Sequence, residues 1–154
     1  MPVTHIGATT VHRGHHVTAA DLNRYGMMHG GRLLTLVDET GFLAARAFCG
    51  RDCLTVAVHR ARFLRPVREG RFITATACVA ATGRTSLWTP VRVCAAGSDR
   101  SPEEALMDAI VTYVAVDDEG RPVPVPEVVA ATPAERRLQA EMRRLMAEVR
   151  GGSE

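Results

Sequence analysis

His29-Gly30-Gly31-Arg32-Leu33-Leu34-Thr35-Leu36-Val37-Asp38-Glu39-Thr40-Gly41-Phe42-Leu43-Ala44-Ala45 decides how this chain is read. From Leu33 onward the run is apolar on nearly every helical face, which belongs in a core rather than at a surface. A carboxylate set into such a helix costs several kcal/mol, on the order of the penalty for an unpaired buried charge, unless it is paired or used. Asp38 is therefore the residue that demands an explanation. The two glycines let another molecule approach the backbone closely, and the first helical turn leaves N–H groups unpaired and pointing outward. One end of the helix thus offers a group that polarises an electrophile, and eight residues from Gly30 stands a candidate base or nucleophile.

Around that helix the chain punctuates itself. A first strand is expected over residues 3–12, followed by the polar stretch Arg13-Gly14-His15-His16 and a turn over Asp21 to Gly26. The helix is expected from Gly30 to Phe48, closing near Gly50. Strands follow at Leu54 to Leu64, Arg71 to Ala81, Thr85 to Ala96 and Ala105 to Asp117, separated by turns rich in glycine and proline. Arg121-Pro122-Val123-Pro124-Val125-Pro126 cannot join a central ladder and leaves the sheet as extended chain. Leu138, Met142, Leu145, Met146 and Val149 recur at helical spacing, so residues 133–149 form an amphipathic helix packed on the body or on a neighbouring subunit. Glu135, Glu141 and Glu148 interrupt any cationic face and argue against a membrane surface. One long apolar helix with four strands after it and one before predicts an α+β fold, an antiparallel sheet wrapped around the helix.

Composition narrows the function classes. The 154 residues, 46% hydrophobic, suit one domain with a sizeable core, taken as residues 1–128, with 129–154 as a C-terminal helical extension. A net charge of +2, built from arginine without lysine, gives no field that argues for nucleic acid, and stacking aromatics are scarce. Cys49, Cys53, Cys78 and Cys94 include no C-x-x-C pair, and no histidine stands at ligand spacing, so no metal site is expected. Reduced thiols, no signal-like N-terminus and no apolar run of membrane-spanning length point to a cytoplasmic chain.

The motifs D-L-N-R-Y-G-M-M-H-G-G-R-L-L-T-L-V-D, T-V-A-V-H-R-A-R-F-L-R-P-V-R-E-G, G-R-T-S and Y-V-A-V-D-D-E-G-R-P-V-P-V-P keep the order and spacing of a known family. Over residues 15–126 the chain resembles the hotdog-fold acyl-CoA thioesterases, most nearly the acyl-CoA hydrolases that include the bacterial cytosolic broad-range and brain-type enzymes. The resemblance implies a helix enclosed by a curved antiparallel sheet, paired subunits, and hydrolysis of an acyl-CoA without a cofactor. Asp38 resembles the family's catalytic acid and Asn23 its catalytic asparagine, while His29-Gly30-Gly31 occupies the turn whose backbone N–H holds the thioester carbonyl oxygen. His29 itself is read as shaping that turn, with a role as base the alternative. Thr55 and Ser86 match positions along the acyl and pantetheine path. Met28 departs from the small or polar residue that many relatives carry before the histidine.

Coenzyme A carries phosphates, which call for cations at the site mouth. Arg60, Arg62, Arg65, Arg68 and Arg84 are the candidates, Arg84 with Thr85 and Ser86 in the matched turn and Arg65 beside the strand end. Glu39, about 100° round the helix from Asp38, reads as a polar edge with Arg32 and Arg46. His59 reads as packing or interface material, and Phe63 and Trp88 as core or subunit contacts. Helical rise adds a constraint, since eight residues span about 12 Å. Gly30 and Asp38 of one chain cannot both touch one carbonyl carbon, so the two roles require two subunits, a homodimer at least; the resemblance implies a trimer of dimers as a higher assembly. Two other functions stay open: an acyl-CoA-binding protein without turnover, and an enoyl-CoA hydratase or dehydratase. The second is disfavoured because Asp21 and His29 stand eight apart with no proline between them.

Overall fold

The computed structural model describes residues 3–152; Met1 and Pro2, and the last two residues of the expected extension, lie outside them. In chain order the elements are β1 (Thr4–His5), β2 (Val11–His16), α1 (Gly30–Cys49), β3 (Asp52–Phe63), β4 (Phe72–Ala77), β5 (Ala81–Thr82), β6 (Ser86–Ala95), β7 (Ala105–Val116), β8 (Val128–Val129) and α2 (Pro133–Gly151). Short 3-10 turns cover Ile6–Thr9, Ala19–Asp21 and Pro102–Glu104. The main sheet is antiparallel in the order β2-β4-β6-β7-β3, with β5 pairing onto β6; β1 and β8 make a separate parallel pair.

The apolar helix is where it was expected. His29 caps its start, and Gly50 closes it in the left-handed region at φ 66°, a conformation that costs glycine nothing. Leu33, Leu36, Val37, Thr40, Gly41, Ala44 and Ala45 are buried, and α1 touches β2, β3, β4, β6 and β7. Alternation along β7 sends Met107, Ala109, Val111, Tyr113 and Ala115 into the same core. The α+β layout of a hotdog fold is thus in place, a helix lying in an antiparallel sheet. Its cover is incomplete within one chain, because Leu43 of α1 remains 41% exposed. On the opposite face of the sheet, α2 lays Met142, Leu145 and Met146 against Ala80, Ala81, Trp88 and Ile110. Thr132 caps α2 by accepting from the Glu135 N–H, and Pro133 sits in the first turn, where its missing donor is not needed.

Two strand expectations need correction. Residues 3–12 are not one strand: the chain turns over Ile6–Thr9, and the strand is Val11–His16, the stretch that read as polar connection. That strand lies at the sheet edge and pairs only with β4, so backbone bonding holds it while its side chains stay mostly exposed. The strand expected over Arg71 to Ala81 stops at Ala77 and resumes as β5. At the break the Val79 N–H donates to the buried Thr9 hydroxyl instead of to a neighbouring strand.

Candidate active site

Asp38 meets the sheet through one carboxylate oxygen. The Thr55 hydroxyl donates to Oδ1 at 2.8 Å, and the Tyr113 hydroxyl lies 3.0 Å from Oδ1 and 2.7 Å from the Asp38 backbone carbonyl. Thr55 and Tyr113 stand directly opposite one another in the β3–β7 ladder, so their side chains rise together on the face that α1 covers. Among the described residues no donor meets Oδ2. The acid is therefore fixed in rotation by one oxygen and presents the other, which is the arrangement a base or nucleophile requires.

Tyr113 was not singled out by sequence reasoning, although it opens one of the quoted motifs and strand alternation points it inward. It is fully buried, and burial first, then the negative charge of Asp38, holds its hydroxyl protonated well above the ordinary tyrosine range. It remains a donor at every physiological pH. Gly41, three residues beyond Asp38 on the same helix face, makes room for it. A Cβ at Gly41 would lie 2.6 Å from the Tyr113 hydroxyl.

The helix start is built as carefully. The Met28 N–H donates to the Val67 carbonyl and the His29 N–H to the Asp21 carbonyl, pinning the chain on both sides as it reaches α1. Asp21, 6% exposed, accepts from the Thr18 N–H and lies 2.9 Å from His15 Nε2. Its carboxyl is held below the usual range chiefly by the Thr18 hydrogen bond, against the opposing effect of burial, with the His15 contact and the charges of His15 and Arg32 adding to it. His29 Nδ1 accepts from the Gly31 N–H at 3.0 Å, and the Arg32 and Leu33 N–H groups donate to the His29 carbonyl. Of the first four helical amides, only that of Gly30 has no partner among the described residues. Gly31 and His29 are thus occupied with each other, and because Nδ1 is the acceptor, His29 carries its proton on Nε2 and faces solvent as a donor. The Phe63 ring, itself 53% exposed, lies 3.4 Å from where a Cβ on Gly30 would stand.

Asn23 holds the turn before the helix. Its Oδ1 accepts from the Tyr25 and Met27 N–H groups, which leaves only its amide nitrogen to reach outward. The G-R-T-S residues form the β5–β6 turn: the Gly83 N–H donates to the Ser86 carbonyl, the Ala115 N–H to the Thr85 carbonyl, and Trp88 Nε1 to Ser86 Oγ. Neither Thr85 nor Ser86 contacts Asp38.

The cationic candidates divide by what already holds them. Arg62 makes a two-pronged pair with Asp108, Arg60 reaches Glu148, and Arg65 donates to the Glu103 carbonyl. Arg60 and Arg62 line a cleft with Arg92 and Arg100 that contains no residue of α1. Arg68 and Arg84 are exposed, with no side-chain partner among the described residues. Glu39 pairs with Arg13 of β2 at 2.9 Å rather than standing with Arg32 and Arg46. His59 stacks on the buried Trp88, its ring centroid 5.1 Å away, and lies 3.1 Å from the Thr112 hydroxyl. No helix is long and apolar enough to cross a membrane, and no group of three or more metal-binding side chains occurs among the described residues.

Comparison with known proteins places this geometry. Residues 25–101 match the family model described as the thioesterase superfamily. The acyl-CoA thioester hydrolase YciA of Salmonella typhimurium is 32% identical over 110 residues, covering 70% of this chain and 83% of the relative. The cytosolic acyl coenzyme A thioester hydrolase of Rattus norvegicus is 30% identical over 125 residues, covering 80% of this chain but only 33% of the rat protein, so the chain spans about a third of that relative's length. A solved acyl-CoA hydrolase of Staphylococcus aureus superposes with a TM-score of 0.83 at 22% identity, covering 99% of this chain and 97% of that one, and shares the fold. That enzyme has been characterised as alanine variants of an asparagine, of an aspartate fifteen residues later, and of a threonine seventeen beyond the aspartate. By family model and by sequence likeness, the chain belongs to the thioesterase superfamily.

Proposed function

We propose that this protein hydrolyses acyl-CoA thioesters to the free acid and coenzyme A at a site shared by two subunits, without a cofactor. One observation carries the reading: Asp38 Oδ2 and the Gly30 N–H are each left without a partner among the described residues, at two points about 12 Å apart on one rigid helix. Two copies packed with their α1 helices antiparallel bring Asp38 of one to Gly30 of the partner subunit. The thioester carbonyl oxygen then accepts from that amide, where the helix N-terminus adds partial positive charge to the developing oxyanion. Asp38 Oδ2 either takes a proton from the attacking water or attacks the carbonyl carbon to give an anhydride that water opens. Both routes expel coenzyme A as the thiolate and leave the acyl group as a carboxylate. Asn23, with only N–H donors to offer, holds the water oxygen or the substrate.

The same residue types at the same separations support this assignment. Asn23, Asp38 and Thr55 stand fifteen and then seventeen residues apart, as do the three positions varied in the staphylococcal hydrolase. The surface that joins the subunits is the free edge of β3, where Leu54, Val56 and Val58 are 54%, 55% and 44% exposed, together with the exposed Leu43 of α1. An unpaired apolar edge of this kind invites a second copy. A homodimer is the smallest active unit, with a trimer of dimers as the larger assembly. Arg84 and Arg68 are the cations free to meet the phosphates, and free cysteines suit a cytoplasmic setting.

The test is release of free thiol from a panel of acyl-CoAs by wild type and Asp38→Ala. Release that is lost in the variant supports the assignment. Full activity in Asp38→Ala, or tight binding of acyl-CoA by wild type with no product, defeats it.

A further inference from the structure

Away from Asp38, two thiols stand within mutual reach. Cys49 closes α1 and Cys53 is the second residue of β3; the reversal at Gly50 brings their sulfurs to 3.5 Å. Both thiols also face the Arg51 carbonyl, at 3.7 and 3.6 Å. Their surroundings differ. Cys49 is half-buried at the helix end, while Cys53 is 6% exposed in the core. We propose that Cys49 and Cys53 form an oxidant-sensitive dithiol that closes to an intramolecular disulfide when the protein meets a hydroperoxide.

Geometry is the first support. A disulfide needs the sulfurs at about 2.05 Å, so the pair must close by roughly 1.5 Å across a four-residue turn whose pivot is a glycine. The division of labour is the second. The hydrogen bond from Cys53 outweighs partial burial and brings the Cys49 thiol down to about 6, while the same contact raises that of Cys53. Of the two, Cys49 is therefore the thiol that gives up its proton more readily and Cys53 the proton-bearing neighbour, the pairing found where a reactive thiol has a resolving partner. Cys78 provides the contrast: it is pushed up to about 11 by burial.

The chemistry balances with peroxide as the sole oxidant. The Cys49 thiolate attacks a peroxide oxygen, the O–O bond breaks, and the departing hydroxide leaves as water after taking a proton from solvent. The resulting sulfenic acid is attacked by the Cys53 sulfur, the S–O bond breaks, and the Cys53 proton leaves with that oxygen as a second water. Two thiols lose two electrons, and one hydrogen peroxide becomes two waters. A consequence for catalysis rests on the proposed active site. Thr55, two residues beyond Cys53 on the same face of β3, holds Asp38, so drawing Cys53 toward the end of α1 shifts the donor that orients the acid.

Intact wild-type protein is treated with a small excess of hydrogen peroxide at neutral pH, alkylated, and read by intact mass and peptide mapping. Loss of two hydrogens, confined to a Cys49–Cys53 crosslink and reversed by dithiothreitol, is the expected result. In Cys53→Ser, Cys49 stops as a sulfenic acid that dimedone captures. Oxidation spread equally over the four cysteines, a crosslink involving Cys78 or Cys94, or a pair that survives peroxide unchanged overturns the proposal. Thioester consumption by the same samples decides the coupling separately: turnover lost on oxidation and regained on reduction supports it, and unchanged turnover in a fully crosslinked sample removes it while the dithiol stands.

Discussion

Gly41→Ala tests whether the support of Asp38 is as tightly built as the distances imply. A methyl at position 41 would lie 2.6 Å from the Tyr113 hydroxyl, 3.1 Å from Thr89 Oγ1 and 3.2 Å from a Tyr113 ring carbon. Neither partner has room to retreat, since Tyr113 and Thr89 are both fully buried and the Thr89 hydroxyl is committed to the Val111 carbonyl. Reaching an ordinary 3.4 Å contact moves the Tyr113 hydroxyl about 0.8 Å, enough to break its 3.0 Å approach to Asp38 Oδ1. Overpacking costs about 1–3 kcal/mol and a lost hydrogen bond to a charged group about 1.5–3 kcal/mol, against about 1 kcal/mol regained from helix propensity. The variant should lose about 2–4 kcal/mol. Tyr113→Phe removes the hydroxyl that clashes, so in that background the same methyl fills vacated space and should cost no more than about 1 kcal/mol. Urea unfolding of the two single variants and the double variant, with m-values held equal, gives the coupling, expected at about 2 kcal/mol. Costs that add within about 0.5 kcal/mol would refute the claim that glycine is there for the tyrosine hydroxyl.

Two further outcomes follow from the site's surroundings. Val56→Arg places a charge on the exposed β3 edge at a bulge, where it should leave the subunit's own stability within about 0.5 kcal/mol yet abolish both oligomer and turnover; an active variant that keeps its native mass by light scattering would remove β3 from the interface. Asp21 has a depressed carboxyl, so the stability it contributes is present above the unfolded value of about 3.9 and is lost as pH falls through the lower folded value. Thermal midpoints measured downward from about pH 5 should therefore fall more steeply in wild type than in Asp21→Asn, and parallel curves would show that the Asp21 carboxylate adds no stability through the Thr18 N–H.

What the sequence discloses about this molecule depends on which kind of fact is asked for. The extent of α1 was open to view because an apolar run, a histidine-glycine start and Gly50 at the close are local signals. β2 was hidden because an edge strand held by backbone bonds carries no apolar alternation, and its Val-His-Arg-Gly-His-His reads as a connection. The break at Ala77 depends on Thr9, seventy residues away in sequence, accepting the Val79 N–H. The residues of the candidate site divide the same way. Asp38 was legible as an anomaly in its own helix, whereas Tyr113 becomes its partner only through the Thr55–Tyr113 register, which no local pattern encodes. Gly31 stood level with Gly30 as a source of the oxyanion amide until the structure showed its N–H bonded to His29 Nδ1.

The proposed requirement for two subunits belongs to neither group. It follows from helical rise, a property of the covalent backbone that no packing detail alters, together with the demand that acid and amide meet at one carbon. Within one chain, the helix that buries the acid's neighbours also holds the acid away from the amide, so in the proposed mechanism the stiffness that orients Asp38 is what calls for a second subunit. Leu43, Leu54, Val56 and Val58 are exposed, and the proposed dimer would cover them. Oligomer formation and turnover should therefore rise and fall together as the protein is diluted, with activity per chain falling toward zero as the subunits part.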